Sequence, residues 1–362
     1  MSAGEEFSGT TAVREAHRFD EARLEQWLAA HVAGYDGPLT VEQFKGGQSN
    51  PTYKLLTPHA SYVMRRKPAG QLVKGAHAVE REAQVLQALE TVGFPVAHVH
   101  ALCADDSVIG TWFYVMDCVN GRIFWDGTFP EVSRLDRPSY FDAMNETLAR
   151  LHGVDYAGIG LADYGRPGNY FARQIARWSR QYLEDAEPAG RDVNMDRLIE
   201  WLPTHIPEGD QTTLVHGDFR ADNMIFHPTE PRILAVLDWE LSTLGHPLAD
   251  FAYHAMIYRL PARIAGGLAA ADLRALNIPS EAEYVAAYCR RTGREGIPYL
   301  DFYMAFNMFR LAAICHGIKG RLARGTAASE HAKKYAAQVE ALAELGWTQA
   351  RRADVSGAAT RA

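Results

Sequence analysis

Three short apolar runs between Thr213 and Asp238, TLVHGD, MIF and ILAVLD, are set among polar residues, and the first overlaps the stretch LVHGDFRADN from Leu214 to Asn223. Runs of this length suit strands better than helices. The chain must therefore turn back repeatedly here, while helical patterns dominate the flanking sequence from 137 onward. Polar residues gather at the ends of those runs. Asp218 ends the first, Asn223 stands five residues on, and Asp238 ends the last. Ordinary turn capping explains any one of them. Together they supply three oxygen donors, the kind that Mg²⁺ takes while keeping waters or phosphate oxygens in its other positions. Asp222 competes for a role in the same loop. His216, beside Gly217, reads as a loop-fixing hydrogen-bonding group, and Asp250 in HPLADFAYH reads as a brace beneath the loop.

At 362 residues the chain suggests about two units. Its 47% hydrophobic and 22% charged residues are those of an ordinary globular protein. A net charge of −7 argues against general nucleic-acid binding. No apolar run reaches the roughly 18 residues of a membrane helix, and the acidic start lacks an apolar signal core, so the expectation is a cytoplasmic protein with no membrane partner. Cys103, Cys118, Cys289 and Cys315 are scattered with no CxxC, which points to reduced structural thiols and away from a cysteine-held metal. The ends, 1–18 and 353–362, read as disposable.

Between those ends the first part is strand-rich. A helix fits 20–33, with Asp20 as N-cap and Leu24, Trp27, Leu28 and His31 on one face. Strands fit 39–45, 52–57, 61–66 and 112–119, with one helix at 77–92 among them. A boundary near 117–121 then leads to a helical part, with further helices at 248–260, 280–291 and 300–324.

Two features of the strand-rich part carry chemistry. FKGGQSNPTYKL, from 44 to 55, puts Gly46 and Gly47 between two strands, followed by Gln48, Ser49 and Asn50. Glycine lets backbone N–H groups approach an anion, although a plain hairpin loop uses glycine in the same way. In the helix HAVEREAQVLQALETV, Glu82 shares the apolar stripe of Val79, Leu86 and Leu89. A carboxylate on a core-facing stripe needs a cation, because breaking a buried ion pair costs about 3–5 kcal/mol. Arg65, alternating with Val63 on a strand, is the nearest supply, with Lys67 and Lys74 as fallback partners. Farther on, Arg173, Arg177 and Arg180 lie opposite the stripe Phe171, Ile175, Trp178 and Tyr182 and read as a solvated face.

The order of glycine-rich hairpin, basic strand residue, helical Glu, HGDxxxxN and strand-ending Asp resembles the aminoglycoside phosphotransferase and choline kinase-like superfamily, the small-molecule relatives of protein kinases. It does so over roughly residues 38–320. Within that group, FKGGQSNPTYKL, AHAVEREAQVLQAL and LAVLDWELSTLGHPLADFAY look most like the kinase-like domain of acyl-CoA dehydrogenase fusion proteins. The resemblance implies an α+β, bilobal, protein-kinase-like fold with a small antiparallel-sheet N-lobe and a mainly helical C-lobe. The expected divisions are a tail and helix at 1–37, an N-lobe at 38–118 and a C-lobe at 119–355.

The resemblance also implies an ATP-dependent transfer to a hydroxyl of a small molecule, such as a hydroxyacyl compound. An aminoglycoside antibiotic kinase and a nucleotide-binding pseudokinase are the alternatives. Carried onto this sequence, Asp218 is the catalytic base, and Asn223 and Asp238 hold Mg²⁺. The turn from Gly46 and Gly47 through Gln48 and Ser49 to Asn50 covers the ATP phosphates, Arg65 paired with Glu82 contacts them, and adenine meets backbone groups from Met116 through Cys118 to Val119. Two departures stand out: the loop lacks a full GxGxxG, and arginine replaces the expected strand lysine. The late helix, with Arg310, Lys319, Arg321 and Arg324 against Asp301, either turns cations, His316 and the apolar Phe306, Met308 and Phe309 toward an anionic acceptor or leaves its charges in solvent and its apolar residues in the core; the absence of an acidic cluster disfavours a polycationic antibiotic in both cases.

Overall fold

A computed structural model describes residues 9–45, 50–68, 77–325 and 330–361. Gly46, Gly47, Gln48 and Ser49, and the fallback cation Lys74, lie outside the described residues. The chain packs into two compact units. One comprises Met1–Thr147, Asp155–Tyr164 and Arg220–Ser242; the other comprises Leu148–Val154, Gly165–Phe219 and Thr243–Ala362.

The first unit is built on a six-stranded antiparallel sheet. Its strands are β1 (Thr10–Thr11), β2 (Thr40–Phe44), β3 (Thr52–Leu56), β4 (Ser61–Arg66), β5 (Val99–Cys103) and β6 (Phe113–Asp117), in the order β1-β2-β3-β4-β6-β5. From Tyr62 onward every residue of β4 is buried, so both faces of this strand need cover. Helix Glu21–His31, capped by Asp20, buries Leu24 and Leu28 in one core cluster with Tyr53, Leu55, Tyr62, Met64 and Phe113. His31, expected on that face, is exposed and stacks on Trp27 at 4.5 Å. Helix Val79–Glu90 buries Val79, Glu82, Leu86 and Leu89, as its periodicity predicts.

The amino-terminal segment is not disposable. Thr10 and Thr11 pair with Phe44 and Gln43, and the His17 carbonyl accepts bonds from Tyr53 Oη and from the buried Arg66 at 3.1 Å each. Nor is the far end inert, since Asp354 Oδ1 accepts from Trp201 Nε1 at 3.0 Å.

By packing, the division also differs from the one expected at 118/119. Strands β8 (Met224–Phe226) and β9 (Ile233–Val236) form a hairpin that joins the first unit. Arg122 pairs with Phe226, and Phe124, Phe129 and Tyr140 pack their rings around that phenylalanine at 5.1–6.1 Å. This aromatic contact recruits both 119–147 and 220–242.

The second unit is mainly helical. Helix Leu300–Ala323 packs on helices Val339–Arg361, Tyr170–Glu184 and Pro247–Ala255. Phe302, Phe306, Met308 and Phe309 are buried in it, so of the two readings open for Phe306, Met308 and Phe309 the core one holds. Strands β7 (Thr213–Val215) and β10 (Thr243–Gly245) pair antiparallel, with Val215 opposite Thr243, and deliver His216, Gly217 and Asp218 at a strand end. Among the described residues, no helix is long and apolar enough to cross a membrane.

Candidate functional site

In the first unit the sequence-predicted pair exists, and it is larger than a pair. Arg65, on β4, places Nε 2.8 Å from Glu82 Oε2 and Nη2 2.7 Å from Asp238 Oδ1, with Glu240 at 3.5 Å. Glu82 is 2% exposed and also accepts from Asn50 Nδ2 at 2.8 Å and from Tyr114 Oη at 3.3 Å. Asn50, fully buried, is held in turn by His77 at 2.9 Å. Burial disfavours the Arg65 charge, but the carboxylates of Asp238 and Glu82 outweigh it and hold the guanidinium above the usual arginine range. Burial is also the main influence on Glu82 and raises its carboxyl, with Arg65 opposing. The fallback cation Lys67 is engaged elsewhere, 2.8 Å from Glu80 and over the Trp112 ring.

The hairpin β8–β9 positions the predicted cation ligands. Leu237 N donates to Asn223 O at 2.8 Å, which closes the hairpin mouth and sets Asn223 and Asp238 on its two sides. Asp238 adopts φ 62°, a left-handed conformation that few non-glycine residues take, and its carboxylate stays about one-third exposed. One carboxylate and one amide oxygen fit a Mg²⁺ ion that completes its shell with water and phosphate, rather than a cage supplied wholly by protein. Among the described residues no cluster of three or more His, Cys, Asp or Glu side chains is placed to hold a metal. Asp222, the competing carboxylate, is clasped by Arg220, with Nε 2.9 Å from Oδ1. For adenine, Met116 lies in the ladder between Val63 and Val99, while Cys118 follows the strand end and is half-buried.

In the second unit the loop before Asp218 is held mainly through its backbone. Asp250, on helix Pro247–Ala255, accepts from His216 N at 2.7 Å and Gly217 N at 2.8 Å, and meets His152 Nε2 at 3.3 Å. Burial alone would raise the Asp250 carboxyl, but hydrogen bonding and charge from His152, with His216, keep it below the usual carboxylate range. Gly217 has φ +83°, which a side chain would strain, and its carbonyl accepts from Arg310 Nη2 at 2.7 Å. His216 Nδ1 accepts from Asp218 N at 3.1 Å, the loop-fixing part read from the sequence. Tyr253 Oη donates to Asp218 Oδ1 at 2.5 Å.

Sequence reasoning missed Tyr253 and gave Arg310 a different surrounding. Tyr253 stands one turn after Asp250 in ADFAYH, a helical spacing that puts both side chains toward one loop. Of the other late-helix cations, Arg324 pairs with Asp185 at 2.6 Å and Arg321 is exposed, while His316 is buried against the Gly190 carbonyl. Arg310 bonds the Asp218 loop through the Gly217 carbonyl.

Residues 40–303 match the phosphotransferase enzyme family, APH. The chain belongs to that family. A crystal structure from Ralstonia eutropha JMP134, assigned to the aminoglycoside phosphotransferases, is 50% identical, with TM-score 0.84 over 92% of this chain and 99% of that one. Chicken acyl-CoA dehydrogenase family member 11 is 43% identical over 357 residues, 96% of this phosphotransferase and 46% of the relative. Mouse acyl-CoA dehydrogenase family member 10 is 42% identical over 341 residues, 93% of this chain and 32% of the relative. The chain thus spans less than half the length of these curated relatives. Its fold is the bilobal α+β, kinase-like one, with the antiparallel sheet in one unit and most helices in the other.

Proposed function

We propose that this phosphotransferase uses ATP to phosphorylate a hydroxyl of a small molecule, with a hydroxyacyl compound as the acceptor class. The observation that carries the reading is Arg65, one buried cation within ion-pair distance of both Glu82 and Asp238. Such a cation can trade a carboxylate contact for a phosphate without losing its anchor on Glu82. The curated relatives named as acyl-CoA dehydrogenases support an acyl-bearing acceptor.

In the proposed reaction the acceptor oxygen bonds to the γ-phosphorus, the β–γ anhydride bond breaks, and ADP leaves. The hydroxyl proton goes to the Asp218 carboxylate, which the Tyr253 hydroxyl orients. Asn223 and Asp238 would hold Mg²⁺, which when bound neutralises charge on the phosphates. The glycine-rich stretch from Gly46 to Asn50 would contact those phosphates, and backbone groups from Met116 through Cys118 would take the adenine.

The test is ADP release from ATP, with and without Mg²⁺, in the presence of hydroxy acids, hydroxyacyl thioesters or kanamycin-type antibiotics. Mg²⁺-dependent turnover on the acyl compounds is expected. Turnover on antibiotics alone would make this an antibiotic kinase. Nucleotide binding without turnover on any alcohol would make it an interaction module.

A further inference from the structure

Several arginines of the second unit come with a carboxylate or a carbonyl. Arg324 has Asp185, Arg259 has Glu281 and Asp301, Arg191 has Asp196, and Arg173 donates to the Arg166 carbonyl. Arg177 and Arg310 lie instead against an indole, although Arg310 also donates to a carbonyl. Arg177 lies with its guanidinium carbon 4.9 Å from the Trp178 ring centre, and Arg310 lies 5.9 Å from the same ring. Among the described residues neither has a carboxylate partner. Arg310 is 6% exposed, stands 5.2 Å over the Tyr253 ring and donates to Gly217 O, so it touches both the loop that carries Asp218 and the tyrosine bonded to it. Arg177 keeps much of its side chain at the surface while its guanidinium packs against the indole. Burial first, and the Arg310 charge second, hold the Arg177 guanidinium below the usual arginine range.

Two guanidinium groups beside one indole ring, with no carboxylate partner, repel each other, and the repulsion grows as the surroundings lose water. An anion between them removes that cost. A planar carboxylate suits the guanidinium fork, and an indole face supports the apolar chain that carries the carboxylate. We propose that Arg177 and Arg310, beside the Trp178 ring, form the subsite that takes the carboxylate of the acceptor alcohol. The subsite rests on the phosphotransferase reading above and gives it a recognition element: Arg310 ties the subsite to the Asp218 loop, and Arg177 selects for charge.

The experiment measures kcat/KM for short hydroxy carboxylates, each beside its own methyl ester, with the full chain and Mg·ATP. Wild type should favour the acid over the ester by roughly tenfold to a hundredfold, the worth of a hydrogen bond to a charged group. Arg177→Ala should collapse that ratio toward one, mainly through KM, and Arg177→Lys should restore part of it. Arg180→Ala, an exposed arginine on the same helix, should leave the ratio alone. A ratio that survives Arg177→Ala, or a wild type indifferent to charge, overturns the subsite. If no alcohol is phosphorylated, calorimetric titration with the same carboxylates separates the two ideas. Arg177-dependent binding keeps the subsite while removing the kinase reading, and absence of binding removes the subsite as well.

Discussion

The two units hold their functional groups by different means. In the first, charged side chains from three separated elements meet: Arg65 from a strand, Glu82 from a helix and Asp238 from the end of a hairpin. In the second, Asp250 and Arg310 grip the backbone of His216 and Gly217, leaving Asp218 with a tyrosine hydroxyl on one oxygen. A buried ion cluster stores charge that can be shared with a ligand. A backbone brace stores position. In the proposed reaction the ion cluster would serve charge neutralisation and the braced loop would serve placement of the acceptor.

The sharpest way to break that contrast is at Asp218. Removing a positioned base lowers turnover by roughly 10²–10⁴ while leaving the brace intact. Asp218→Ala should therefore keep its melting temperature and its nucleotide affinity and lose only kcat, as steady-state kinetics beside calorimetry will read. Wild-type turnover on the true acceptor would remove Asp218 from the role. Asp222 would not then be a ready substitute, since Arg220 already occupies it.

Asp250→Ala should instead damage structure and rate together. It strips an acceptor from two buried N–H groups and from His152, a loss of about 3–9 kcal/mol at roughly 1–3 kcal/mol for each of the three groups. Urea unfolding measures it. A stable but slow variant would mean that Asp250 tunes chemistry and does not brace the loop.

The ion cluster should behave as one body. Glu82→Gln and Arg65→Ala should each cost stability, and their double-mutant cycle should show coupling of about 1–3 kcal/mol. Additive losses would show that Arg65 is held by Asp238 alone. The same variants separate nucleotide effects, because Asp238→Asn should weaken Mg·ATP binding and its Mg²⁺ dependence while the Glu82 contact persists.

This contrast also explains what was legible in the sequence. Glu82 announces itself because a carboxylate on an apolar helical stripe breaks the pattern, and Arg65 because a cation sits on a strand nearby. Asp218, Asn223 and Asp238 stand out by density. The kinase-like architecture followed from the order of these motifs. Tyr253 and the packing of Arg310 were not legible in that way, since they reach the loop across 35 and 93 residues of chain, and an arginine or tyrosine in a helix breaks no local pattern. Strand β1 is two residues long and shows no periodicity. The grouping of 119–147 with 220–242 depends on aromatic packing around Phe226, which spacing along the chain does not reveal.

The smallest effect, absent at neutral pH, belongs to the outer layer of the brace. His254 lies between the Phe219 carbonyl at 3.1 Å and the Tyr284 hydroxyl at 2.6 Å. A carbonyl only accepts, so Nδ1 carries the proton and Nε2 accepts from the tyrosine; the ring is satisfied as the neutral form. Burial lowers its pKa to about 4, against an ordinary value of 6.5. In the window between those values the unfolded chain binds a proton that the folded one does not. Stability is therefore complete above about pH 6.5 and falls as pH drops toward 4, by at most about 1.4 kcal/mol per pH unit for one site. His246, also lowered to about 4 chiefly by burial, adds a second proton in the same window. His254→Gln offers an amide N–H to the carbonyl and an oxygen to the tyrosine but does not titrate. Its urea stability should fall less steeply than that of wild type between pH 6.5 and 4, leaving the His246 share. Parallel curves for the two proteins would mean that His254 already takes up its proton in the folded state, and that the Phe219 carbonyl is held by something other than a neutral imidazole.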